Sequence, residues 1–445
     1  MSTALDVKNH PAAGISQKPG AIPPGELRRG FGPVIGLAVL VAALVVMFTN
    51  TERWQGHWGS TIGQLHTIGI LLAGPITVGG GCWLGGRERR RGLEELRASA
   101  PRGALSQTVA ACLPAIVWPA LGYLLAALVT MAATWPYAAA GFPPLTLLAA
   151  DITAIAALGT IGFVVGRLVA WRLAAPTLAV VGYVGLGMTA YNSNSAVTWL
   201  SPTVGHYHLW EQPVWWYGPV LIVWTGGLAA AALLFVARRL VPAAALVAAA
   251  VAAAVLLIHT GDGVWKPDRD TSALVCTSDA PKVCVTKLNS EQLPGVAAAA
   301  KVTYDKLEGV SPLPVRWSEH PFAEFGDKLR AGEENLGLGV GDTYVNPTKG
   351  RRITSPDRYL PEIAHGLAYP NCPTARWQYP RASEAVVEWL SGTPDPAITY
   401  REPRPKSIDR AIERLHSMPK VERAAWLKQY FDAVADCDPK KVTMP

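Results

Sequence analysis

The sequence predicts a membrane all-α protein of about seven transmembrane helices that leads into an extracytoplasmic α+β domain. Three observations predict it. Charged residues are nearly absent over most of positions 31–260 and dense after 262. The arginines of the first part sit in short clusters between apolar runs. Four of the six cysteines, Cys276, Cys284, Cys372 and Cys437, fall in the polar second part.

A net charge of +7 over 445 residues invites a nucleic-acid reading, but its distribution opposes one. Clustered arginines between apolar runs are a topology signal, whereas a nucleic-acid footprint is a basic face. No nucleic-acid partner is expected; the lipid bilayer is. The mean hydropathy of +0.20 averages an oily half and a water-soluble half.

Residues 1–30 are rich in Pro and Gly, carry Lys8, Lys18, Arg28 and Arg29, and lack apolar periodicity. They predict a disordered cytoplasmic tail. The transmembrane domain follows over 31–260. A bilayer core of roughly 30 Å needs about 20 apolar residues in a helix, and the runs fall near 31–49, 62–85, 104–134, 145–166, 173–191, 217–237 and 241–259. The first run is followed by Thr49–Arg53 rather than a small-x-small site, so it is read as an uncleaved span. The third contains Pro114 and Pro119 and is expected to kink or to begin as an interfacial segment. Cys82 and Cys112 lie in apolar runs as small buried hydrophobes.

Orientation follows from short-loop arginines. With the N-terminus inside, the inner segments hold Arg28 and Arg29, then Arg87, Arg89, Arg90, Arg91, Arg97 and Arg102, then Arg167 and Arg172, then Arg238 and Arg239, while the outer loops hold Arg53. Seven spans then put everything after residue 260 outside a plasma membrane. Disulfide-capable cysteines suit that compartment. Cys276–Cys284 and Cys372–Cys437 are the expected pairs on spacing; three connectivities remain open.

The loop 192–216 holds Trp199, Tyr207, Trp210, Trp215 and Trp216 and is expected at the outer headgroups. Its His206, His208 and Glu211 are metal-type donors, but a polar face on an interfacial turn accounts for them, and no metal or other cofactor is expected. Asp151 and His66 are ionisable groups that fall inside spans. Either they line a polar outer cavity and pair, or each reaches headgroup water by local adjustment; both readings stay open.

After the second span comes Gly86-Arg87-Glu88-Arg89-Arg90-Arg91-Gly92-Leu93-Glu94-Glu95-Leu96-Arg97-Ala98-Ser99-Ala100-Pro101. It predicts a short charged helix stopped by Pro101, with Leu93 and Leu96 on one side at a spacing suited to docking in a groove. This stretch resembles the first cytoplasmic loop of type 2 ABC-transporter permeases. Glu88, Gly92, Leu96 and Pro101 match that family's pattern, Leu93 lies beside Leu96, and the resemblance covers roughly residues 30–240. It implies a membrane subunit, of export type, that couples to an ATPase through this loop and assembles as a homodimer or heterodimer. No GxxxxGK[ST] loop occurs, so the ATPase is expected on a separate chain. The seventh span, the domain after it and the aromatic loop depart from the simple family pattern. The C-terminal extension resembles those of permease-like proteins from actinobacteria.

Residues 261–272 are expected as a polar linker, and 273–445 as the α+β domain. A hairpin is predicted at 273–277 and 282–288, helices at 290–308, 356–369, 380–391, 405–416 and 419–435, and strands at 313–318 and 336–346. Glu362-Ile363-Ala364-His365-Gly366 falls short of HExxH, because Gly366 follows His365 and no second histidine has the spacing. No Gly-x-Ser-x-Gly elbow appears, and Glu319 with His320 is read as a surface pair. No catalytic residue is therefore assigned. The alternative to a permease is a membrane-anchored sensor or immunity protein that binds a ligand through its outer domain.

Overall fold

The computed structural model describes residues 30–51, 54–90, 92, 103–169, 171, 173–191, 196–205, 210–311, 313–320, 333–336, 359–369, 381–394, 403–436 and 441–445. Its first half is a helical bundle. The helices are α1 (Gly32–Phe48), α2 (Trp58–Gln64), α3 (Ile70–Gly85), α4 (Arg87–Arg90), α5 (Ala104–Thr134), α6 (Leu145–Leu168), α7 (Ala174–Tyr191), α8 (Tyr217–Val236) and α9 (Leu240–Thr260). A π-helical segment, Leu65–Gly69, joins α2 to α3, so Trp58–Gly85 runs as one rod.

Five of these rods are long and apolar enough to cross a membrane: Trp58–Gly85, α5, α6, α8 and the rod from Leu240 to Val264. In lipid the backbone must satisfy itself, and a helix does so. The other two expected runs form shorter apolar helices, α1 with 17 residues and α7 with 18. At 1.5 Å per residue α1 is about 25 Å long, slightly less than a bilayer core. Its sides divide cleanly: Ile35, Val39, Ala43 and Met47 are buried, whereas Leu37, Val41 and Val45 are exposed. Pro114 and Pro119 lie inside α5, which remains one helix from Ala104 to Thr134.

Glycine sets the closest approach in the bundle. A Cβ on Gly85 would collide with the Phe163 carbonyl, and one on Gly166 with the Cys82 carbonyl. Backbones packed this tightly gain dispersion contacts that lipid cannot replace.

The two ends of the bundle differ in charge. One end collects the termini at Gly30, Arg87 and Arg167, and Gly86 there abuts the Gly166 carbonyl. Arg87, Arg89, Arg90 and Arg167 lie at this end, as do Arg238 and Arg239 between α8 and α9. Arg90 donates to the Trp83 carbonyl and lies 4.2 Å over the Trp83 ring. Of the charged helix expected up to Pro101, the described part is the turn Arg87–Arg90 and Gly92. Gly92 adopts φ 62°, a left-handed turn that a residue without a Cβ allows. Leu93, Leu96, Pro101 and the Glu88 side chain lie outside the described residues.

At the opposite end, Trp54 Nε1 donates to the Met47 carbonyl at 2.8 Å, and the Thr61 and Thr134 hydroxyls meet at 2.7 Å. The polar stretch 261–272, expected as a linker, contains a strand. Its residues Trp265–Pro267 form β2, paired antiparallel with β1 (Glu211–Pro213). Trp210 Nε1 reaches Thr286 Oγ1 at 3.1 Å and so fastens this ribbon to the second half of the chain.

That second half holds a four-stranded sheet in the order β3 (Leu274–Cys276), β4 (Lys282–Thr286), β5 (Arg316–Ser318), β6 (Glu333–Asn335). The first pair is antiparallel and the others parallel. α10 (Leu293–Lys306) makes the crossover from β4 to β5, and α11 (Leu360–Ala368), α12 (Arg381–Ser391), α13 (Lys406–Ser417) and α14 (Lys420–Ala435) complete it. Val283, Val285 and Trp317 of the sheet share one core with Val296, Ile363, Val386, Ile408, Leu427 and Tyr430 of the helices. β6 ends at Asn335 and Leu336 packs into the core; the strand expected at 336–346 otherwise lies outside the described residues.

Candidate functional site

The expected disulfide Cys276–Cys284 is present, bridging directly opposed residues of β3 and β4. Cys372 and Cys437 lie outside the described residues, while Cys82 and Cys112 are buried free thiols. His206 and His208 also lie outside the described residues. Among the described residues no three His, Cys, Asp or Glu side chains are grouped to hold a metal ion.

The second-half residues weighed for catalysis all have neighbours that hold them. Glu319 is not on the surface. It is 2% exposed, and its carboxylate accepts from the Thr286 N–H at 2.7 Å and from Asn289 Nδ2 at 2.6 Å. Burial pushes this carboxyl up, against those two bonds. His320 lies 3.5 Å from Glu333, which also pairs with Arg316 at 3.2 Å. His365 packs its ring on Tyr369 with centroids 4.3 Å apart.

The buried ionisable groups of the bundle converge. His66 sits on the π-helical segment, where a widened turn changes the direction of its side chain relative to a regular helix. Asp151 lies on α6. Both are essentially unexposed, and His66 Nδ1 stands 2.5 Å from Asp151 Oδ1. Tyr123 of α5 completes the cluster. Its hydroxyl donates to the Leu65 carbonyl at 2.9 Å and lies 3.4 Å from Asp151 Oδ2. That carbonyl also accepts the Ile70 N–H, the i to i+5 bond of the widened turn. The π segment, Tyr123 and Asp151 therefore hold one another in place.

Two polar atoms of this region are buried without a partner among the described residues: His66 Nε2 and the Tyr217 hydroxyl. Unmade hydrogen bonds at buried groups are uncommon and call for an explanation. His66 also forms part of the wall of a cavity of about 410 Å3. The cavity lies where the charge-poor end of the bundle meets the β1–β2 ribbon and the sheet-containing half. It is walled by the start of α2, the 140–147 turn leading into α6, β1, Trp265, Asp268, Thr271 and Leu288.

No family model, curated protein or solved structure matches this chain.

The pairing of His66 with Asp151 was one of two readings open in the sequence. Tyr123, the π segment and the second-half wall of the cavity had no sequence signal. A tyrosine in an apolar run is ordinary, and 58–85 reads as unbroken helix.

Proposed function

We propose that the chain is a seven-span protein of the plasma membrane, with its N-terminus in the cytosol and its sheet-containing half outside. On this reading it is the membrane subunit of an ABC transporter, of export type, driven by an ATPase on a separate chain and assembled as a dimer of membrane subunits. The observation that carries it is the charge division of the bundle. Arg87, Arg89, Arg90, Arg167, Arg238 and Arg239 gather at one end, and the sheet-containing half attaches at the other. Moving a guanidinium into hydrocarbon is costly, so the cluster stays on the side where positive loops are retained.

The segment after α3 supports the coupling role. It emerges at the basic end as one helical turn, Arg87–Arg90, followed by Gly92 with a left-handed φ of 62°. The position suits a loop that meets a soluble partner in the cytosol. The test is copurification with a P-loop ATPase from the native membrane, and its loss in the double variant Glu88→Ala, Leu96→Asp. Full retention of the ATPase in that variant contradicts the coupling role.

The sensor reading is favoured by a different observation, the cavity shared by the bundle and the sheet-containing half. It requires ligand-dependent behaviour in a chain that associates with no ATPase.

A further inference from the structure

We propose that the cavity above His66 binds a small organic cation, an ammonium group carried on an apolar body. At about 410 Å3 it has the size of a small-molecule site. Among the described residues that line it, Glu211 and Asp268 carry carboxylates and none is a lysine or arginine. His57 also lines it and adds no positive charge, because burial pushes that imidazole down to about 4. The rest of the wall is mostly small and apolar residues, with four aromatic rings among them, Trp58, Phe142, Trp215 and Trp265. Aromatic π systems attract cations, and more so where water is displaced.

The second observation is independent of the acids. His66 is 2% exposed, its Nδ1 is engaged by Asp151, and its Nε2 has no partner among the described residues. In the tautomer that carries its proton on Nδ1, the ring donates to Asp151 and presents a lone pair at Nε2. An ammonium N–H reaching down from the cavity satisfies that lone pair. Its charge is balanced by the two carboxylates, and its apolar body replaces water against the rings.

The test is calorimetric titration of phenethylammonium into the full chain in phosphatidylcholine nanodiscs, with empty nanodiscs subtracted. Phenylethanol and phenylpropionate serve as neutral and anionic comparators. One-site binding of the cation is expected, at least about ten-fold tighter than either comparator, as charge-assisted bonds imply. Glu211→Gln with Asp268→Asn should weaken it about ten-fold or more. Asp270→Asn, which removes an exposed acid paired with Lys287, should leave it within about two-fold. Absence of saturable cation binding, equal binding of phenylpropionate, or an unchanged affinity in the folded double variant would overturn the proposal. Should the double variant not fold, the comparison of the three ligands on the native chain decides. No ATPase takes part, so the outcome is separate from the copurification test.

Discussion

His66 Nδ1 and Asp151 Oδ1 lie 2.5 Å apart across 85 residues of sequence, in the interior of an apolar bundle. A buried hydrogen-bonding group that loses its partner costs more than the bond was worth. Asp151→Ala is expected to destabilise the protein by about 1–3 kcal/mol, with Asp151→Asn milder because it keeps a hydrogen-bonding group. Thermal unfolding in detergent measures both. A double variant with His66→Ala should cost less than the sum of the two single changes.

Gly85 and Gly166 mark the closest helix contact. Leucine at either position would collide with a carbonyl of the facing helix. The expected result is aggregation or a strongly lowered melting temperature on fluorescence-detected size exclusion. Alanine at Gly185, where a Cβ meets nothing within 4 Å, should be tolerated.

The Cys276–Cys284 bridge closes a short loop, with a sequence separation of 8. Loop-closure entropy puts its contribution at about 2.5 kcal/mol. Cys276→Ser with Cys284→Ser should lower the stability of the second half by roughly that amount, read by urea unfolding.

Glu334 gives that half a pH dependence. Burial pushes its carboxyl from 4.5 up to about 7. A group whose folded-state value is raised binds its proton more tightly when folded, so its stabilising contribution is complete below about 4.5 and is lost as pH rises through about 7. Glu319 acts with the same sign. The second half should therefore melt higher at pH 5 than at pH 8, and Glu334→Gln should flatten that difference.

The helical half was legible because lipid leaves the backbone few choices. Each apolar run became a helix within a few residues of its expected bounds. Glu319 was misread because its surroundings are non-local: its partners Thr286 and Asn289 come from the end of β4 and the segment after it. The site was half legible. Asp151 and His66 stand out as ionisable residues in apolar runs, but the π turn that aims His66 depends on packing against Tyr123, which no periodicity reveals. Stretch 261–272 read as a tether because its pairing partner, β1, lies some 50 residues earlier.

The most direct test of the account is sidedness. Arg89→Cys and Asp305→Cys, both at exposed positions, would be treated in intact cells with a membrane-impermeant maleimide, and labelling compared with the parent chain. The account predicts that Cys at 305 is labelled at once and Cys at 89 only after permeabilisation. Labelling of position 89 in intact cells, with position 305 protected, would contradict it.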